Sequence, residues 1–176
     1  TQFIHLGMAY HGDTVGGVSL SGVELFRRPF SSLLFPSHDI EPPYCYRCPL
    51  GLHFPECSLA CLDPLEKLLQ AKHQEIAGLI LEPMVQAVAG IIPSPAGYLK
   101  RVRELCTRYH ILFIADEVAT GFGRTGRMFA CEHEGISPDI MAVAKGLTGG
   151  YLPLAATLTT TAIYEAFLGE IDEEKT

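Results

Sequence analysis

Apolar and polar positions divide this chain into blocks of different period. "IAGLILEP", residues 76–83, is a continuous apolar run closed by Glu82 and Pro83, which predicts a short buried strand. "ILFIADEV" (111–118), "DIMAVAKG" (139–146) and "LPLAATLTT" (152–160) predict three more, and a short helix is expected from Thr161. Leu62 to Lys72 and Pro95 to Tyr109 carry the helical period instead, and Pro64 is tolerated in the first turn of the former. Ahead of these, the apolar opening "TQFIHLGMAY" leads into "HGDTVGGVSLSG", a turn into a short helix capped by Asp13 or Thr14. Residues 27–61 are rich in Pro, Cys and aromatics and have neither period, so they are expected to form a long irregular excursion. Apolar strands separated by helical segments imply an α/β fold, a mostly parallel sheet with helices on both faces.

Ligands of such sheets bind at the carboxyl ends of the strands. Three of those ends carry ionisable groups here: Glu82, Asp116 and Lys145. Alternate residues of a strand share a face, so Asp116 and Val118 point together and Glu117 points away. A carboxylate beside a small branched side chain suits an aromatic heterocycle with a basic nitrogen, one to hold the nitrogen protonated and the other to pack on the ring. Lys145 ends the run "DIMAVA" and enters "KGLTGG", where glycines leave room for a ligand and an amine can act as a nucleophile. Pyridoxal phosphate needs this pair of groups.

Gly121, Gly123 and Gly126 form a G-x-G-x-x-G that invites a dinucleotide reading, with Asp139 as its acidic residue further on. That fingerprint starts directly after its strand and ends inside a helix. Here "DEVAT" intervenes after Ala115, and "RMFACEHEGISPD" follows, too broken for a crossover helix. These glycines are expected to form a flexible turn.

Composition narrows the classes further. A net charge of −7 with no basic stripe argues against a nucleic-acid binder, and no apolar run reaches the roughly 18–20 residues of a membrane helix. The first residues lack the basic and apolar segments of a secretory leader, so a cytoplasmic protein is expected. The chain opens without Met and closes on the charged "GEIDEEKT", and both ends read as cuts through a larger protein. Cys45, Cys48, Cys57 and Cys61 have usable spacing for a four-thiolate metal site, or are free thiols of a reducing compartment. Their two pairs stand closer than in the usual zinc ribbon, and no metal is expected.

"AYHGDTVG", "LILEPMVQAVAGIIPSPAGYL", "LFIADEVATGFGRTG" and "AKGLTGGYLPLA" resemble, in order and spacing, the class III pyridoxal-phosphate-dependent aminotransferases of fold type I. The resemblance spans nearly the whole chain. It implies that residues 1–176 are part of the cofactor-binding large domain, with an N-terminal phosphate-cradling segment and a C-terminal small domain lying outside. It assigns Lys145 as the Schiff-base lysine and proton shuttle, and Asp116 as partner of the pyridine nitrogen. Tyr10 would stack on the ring, His11 and Gly12 would shape the turn beneath it, Val118 would pack on the opposite face, and Glu82 would stand at the rim. "GFGRTG" would be an active-site loop. Within the family, "PYCYRCPLG" and residues 123–160 are similar to the branch that serves biotin synthesis. Its amino donor is S-adenosylmethionine, its acceptor 8-amino-7-oxononanoate and its product 7,8-diaminopelargonate. Branches acting on ornithine or 4-aminobutyrate are the alternative, and a module organised by its cysteines is a third reading. The resemblance further implies a homodimer with the site at its two-fold interface. The 176-residue chain by itself is expected to bind cofactor poorly and to lack activity.

Overall fold

A computed structural model describes residues 1–169; the end of the charged tail lies outside the described residues. In chain order the elements are β1 (Gln2–Leu6), α1 (Val15–Ser19), α2 (Glu24–Arg27), β2 (His38–Ile40), α3 (Asp63–Lys72), β3 (Ile76–Leu81), β4 (Val85–Gln86), β5 (Ile92–Pro93), α4 (Tyr98–Arg108), β6 (Leu112–Asp116), β7 (Ile140–Val143), β8 (Ala156–Thr159) and α5 (Thr161–Glu165). One six-stranded sheet runs β2-β1-β3-β6-β7-β8, and β4 with β5 forms a separate antiparallel hairpin. Every neighbouring pair in the large sheet is parallel except β7 with β8.

Three features depart from the sequence reading. The apolar opening is a full strand, β1, at the heart of the sheet between β2 and β3. The excursion is not wholly irregular, because its residues 38–40 pair with Ile4–Leu6 as β2. The fourth expected strand is present as β8 but runs antiparallel, since no crossover helix separates it from β7. It forms an exposed edge, its four residues all open to solvent.

Burial follows strand parity. Ile4, Leu6, Leu79, Leu81, Phe113 and Ala115 line one face and join one core cluster with α3 and α4. The α4 side chains Tyr98, Leu99, Val102, Leu105 and Cys106 recur at the spacing of a single helical stripe, all buried. That cluster holds most of the buried apolar residues of the described chain, and such burial stabilises by about 25 cal/mol per Å² of apolar surface. On the opposite face Ile80, Leu112 and Ile114 are half-buried, and Phe3 meets Phe35 of the excursion at a centroid distance of 6.3 Å. The start of α4 has no cap of its own. The carboxylate of Glu134 accepts from Gly97 N at 2.8 Å and Lys100 N at 2.7 Å, satisfying N–H groups that a helix start leaves open. At α1 the cap is Thr14, whose hydroxyl accepts from Gly17 N at 3.2 Å.

The parallel register brings the carboxyl ends of β1, β3, β6 and β7 to one edge. The chain leaving β1 reaches Tyr10 and His11 there, and Lys145 follows β7 by two residues. Among the described residues no helix is long and apolar enough to cross a membrane.

Candidate active site

A cavity of about 210 Å³ opens at that edge, and Tyr10, His11, Glu82, Asp116, Val118 and Lys145 all line it, together with Gly12, Ala87, Val88 and Ala119. The six side chains singled out from the sequence therefore share one cavity, although they are spread over 136 residues of chain, from position 10 to position 145.

Asp116 closes β6 and is 8% exposed. Its Oδ1 accepts the Val118 N–H at 3.1 Å, and its Oδ2 accepts His11 Nδ1–H at 2.7 Å. The His11 side chain is almost fully enclosed. Its backbone N–H donates to Ser21 Oγ at 3.0 Å, so the ring is fixed from both ends. This pairing of residues 105 positions apart had no signal in the sequence, which offered only a turn at His11. Each carboxylate oxygen keeps a further lone pair for a cationic ligand.

Glu82 is enclosed at the end of β3. Its Oε1 accepts Tyr10 N at 3.2 Å and its Oε2 accepts Ala87 N at 2.8 Å. Burial raises its pKa above the ordinary carboxylate value; the two backbone donors and His11 oppose that rise, and nearby Asp116 adds to it. Glu82 thus ties the Tyr10 backbone to the β4–β5 hairpin. The Tyr10 ring meets Phe26 edge-on at 5.5 Å.

Lys145 is exposed in this chain and stands in a single 3₁₀ turn. Its φ of 29° lies in the region that L-residues avoid, and such strain concentrates at functional positions. The turn is held from behind by Phe122. A Cβ placed on Gly146 would stand 2.8 Å from Phe122 Cβ, so only glycine allows this approach. Phe122 belongs to the glycine motif, whose residues Gly121, Gly123 and Arg124 line a second cavity that shares Lys145 and Ala119 with the first. The motif is thus a turn beside Lys145. No α-helix stands between it and β7, and Asp139, its supposed ribose partner, instead accepts Arg103 Nη1 at 2.6 Å and Phe113 N at 2.7 Å.

Glu117 points away from the cavity, as strand alternation requires, and is completely buried. Its carboxylate accepts the Thr120 hydroxyl, Ala130 N at 3.0 Å and Cys131 N at 2.9 Å. The Cys131 thiol also bonds to it, and burial first, then this carboxylate, push that thiol's pKa far up. One side chain therefore pins both ends of the 120–131 loop beneath the cavity. Sequence reasoning found the direction of Glu117 but not this work, because its partners lie 13 and 14 residues on.

Cys45, Cys48, Cys57 and Cys61 line a separate cavity of about 20 Å³ walled by proline, leucine and aromatic side chains. All are free thiols. Burial, then the neighbouring Cys45 and Cys57, push the Cys61 thiol up to about 11. Among the described residues no group of three or more His, Cys, Asp or Glu side chains is placed to hold a metal ion.

Comparison with known proteins identifies the family. The Aminotransferase class-III family model matches residues 1–173. The adenosylmethionine-8-amino-7-oxononanoate aminotransferase of Geobacter sulfurreducens is 56% identical over 177 residues, covering 100% of this chain and 39% of that protein. Its counterpart in Aquifex aeolicus is 53% identical, over 98% of this chain and 38% of its own length. The chain thus spans about two fifths of the length of these curated relatives. Among solved structures, the aminotransferase of the same name from Methanocaldococcus jannaschii superposes with a TM-score of 0.87 at 46% identity, over 100% of this chain and 38% of that one. An amine transaminase from an uncultivated Pseudomonas species, solved in its PLP-bound form, gives 0.90 at 41% identity, over 97% and 39%. The chain belongs to the class III aminotransferase family.

Proposed function

We propose that the protein carrying this chain is a pyridoxal-phosphate-dependent transaminase, moving an amino group from S-adenosylmethionine to 8-amino-7-oxononanoate to give 7,8-diaminopelargonate. The observation that carries the reaction class is the meeting of Asp116 and Lys145 in one cavity with Tyr10 and Val118. The donor set fits the cofactor: a fixed carboxylate with free lone pairs for a ring cation, a primary amine for an aldehyde, and aromatic and aliphatic side chains for a flat ring. The substrate pair rests on relatives of that name at 47–56% identity, and it is favoured over ornithine or 4-aminobutyrate on that ground.

When bound, pyridoxal phosphate supplies an electron sink for the pair left behind as a proton leaves the amino donor's carbon. The side chains that would handle the proton and the ring lie in this chain. Lys145 is the covalent attachment point. Its Nζ would take the proton from the donor carbon and deliver it to the cofactor's C4′ carbon, acting as base and then as acid. Asp116 would hold a positive charge on the ring nitrogen, and the His11 and Val118 donors keep its carboxylate in place. Tyr10 and Val118 would shield the ring from water. Glu82 secures the Tyr10 backbone.

The working protein is a cytoplasmic homodimer. Tyr151, Leu152, Leu154, Phe167 and Leu168 stand exposed beside β8 and α5, an apolar surface of the kind that another segment or subunit covers. The test of function is direct. The full-length protein, given cofactor, S-adenosylmethionine and 8-amino-7-oxononanoate, should form diaminopelargonate detectable by mass spectrometry. Turnover with ornithine or 4-aminobutyrate, and none with S-adenosylmethionine, would move it to another branch of the family.

A further inference from the structure

A small internal cavity lies between the β4–β5 hairpin and the first turn of α4, beneath the end of β3. Gln86, Tyr98, Glu82 and Ser94 contribute to its wall, with apolar side chains making up most of the rest. It has room of about 10 Å³ for the centre of a water-sized sphere, close to the roughly 10–15 Å³ that one molecule needs.

Two of these lining residues each carry a polar atom buried without a protein partner, Gln86 Oε1 and Tyr98 Oη. Tyr98 is 2% exposed and Gln86 3%. The orientation of the Gln86 amide is not arbitrary. Its Nε2 donates to Gly7 O at 2.8 Å, and the reversed amide would set two acceptors against each other, so Oε1 is the free atom. Burial keeps the Tyr98 phenol protonated, with its pKa pushed far up, so it remains a donor. One free donor and one free acceptor thus belong to side chains that line a single-molecule cavity, and burial without a partner is unfavourable for each.

We propose that this cavity is a binding site for one structural water, which accepts from Tyr98 Oη and donates to Gln86 Oε1. Ser94 Oγ gives its proton to Met84 O at 3.2 Å and keeps lone pairs for the water's second hydrogen. The water joins α4 to the hairpin whose Ala87 N–H holds Glu82 and whose Gln86 holds Gly7, three residues before Tyr10. It is therefore a keystone under the wall of the larger cavity, and it stands independently of the reaction assigned there.

The test is a high-resolution crystal structure of the full-length protein and of its Tyr98→Phe variant, with thermal melts of both. Phe has the same shape, so the variant folds. A bridged hydroxyl and an orphaned one predict opposite signs. With the water in place, removing the hydroxyl leaves the water short of a donor, and the unfolding midpoint falls by about 2 °C. The expected crystallographic result is a solvent peak within hydrogen-bond distance of both atoms. A cavity with no such peak overturns the proposal. So does a Tyr98→Phe midpoint equal to or above that of the parent, as removal of an unpaired hydroxyl would give.

Discussion

The end of β6 and the cysteine excursion are the two places where this molecule concentrates reactive side chains, and they are built on opposite principles. At the strand ends unlike groups meet. A carboxylate, an imidazole, a second carboxylate and an amine line one cavity of about 210 Å³, and Asp116, His11 and Glu82 are held by hydrogen bonds that stop short of using up their capacity. In the excursion like groups meet. Four thiols share a cavity of about 20 Å³, and each neighbouring thiol makes it harder for Cys61 to ionise. Density of reactive residues does not make a site. Complementary charge and an open lone pair at a fixed position do.

That contrast ranks the expected effects of substitution. Lys145→Ala in the full-length protein should lower transamination by more than about 10³-fold with the fold intact, because no other group does both the attachment and the proton transfer. Turnover assays beside circular dichroism check it, and residual activity near wild type would take Lys145 out of the reaction. Asp116→Asn should keep cofactor bound but slow turnover by about 10–100-fold, the equivalent of an ionic hydrogen bond of about 1.5–3 kcal/mol. Steady-state rates at saturating cofactor read that loss.

Glu117→Gln separates support from chemistry. An amide would turn an N–H toward donors that now meet a carboxylate, costing about 1–3 kcal/mol of stability and freeing the 120–131 loop. Hydrogen exchange at Ala130 and Cys131 should quicken. Glu82 is probed by pH. Burial raises its pKa in the fold, so its contribution is fully present below its unfolded value near 4.5 and is lost as pH rises through the folded one. Relative to the parent, Glu82→Gln should therefore fare better at pH 7.5 than at pH 4.5 in paired thermal melts. Smallest of all, replacing Cys45 and Cys48 by Ser, or adding a chelator, should leave the cofactor's visible spectrum unchanged.

The residues that share the candidate cavity are legible in the sequence because several of them end apolar runs. Asp116 and Lys145 end apolar runs that otherwise read as pure core, and strand parity separates Asp116 from Glu117. What stayed hidden depends on contacts between distant segments. β2 is three residues among prolines and exists only because β1 offers an edge 34 residues earlier in register. The His11–Asp116 bond and the four-donor cradle of Glu117 have no period to betray them. The direction of β8 follows from a connection that contains no helix, which apolarity alone does not encode. The exposure of Lys145 and the strain in its φ are equally tertiary, set by Phe122 pressing on Gly146.

The central claim is that Lys145 is where the cofactor attaches. The most direct measurement is borohydride reduction of the full-length protein saturated with pyridoxal phosphate, followed by digestion and peptide mass spectrometry. The expected result is one stoichiometric pyridoxyl-phosphate adduct on Lys145, abolished by Lys145→Ala. An adduct spread over surface lysines such as Lys67, Lys72 and Lys100, with Lys145 unmodified, would contradict it.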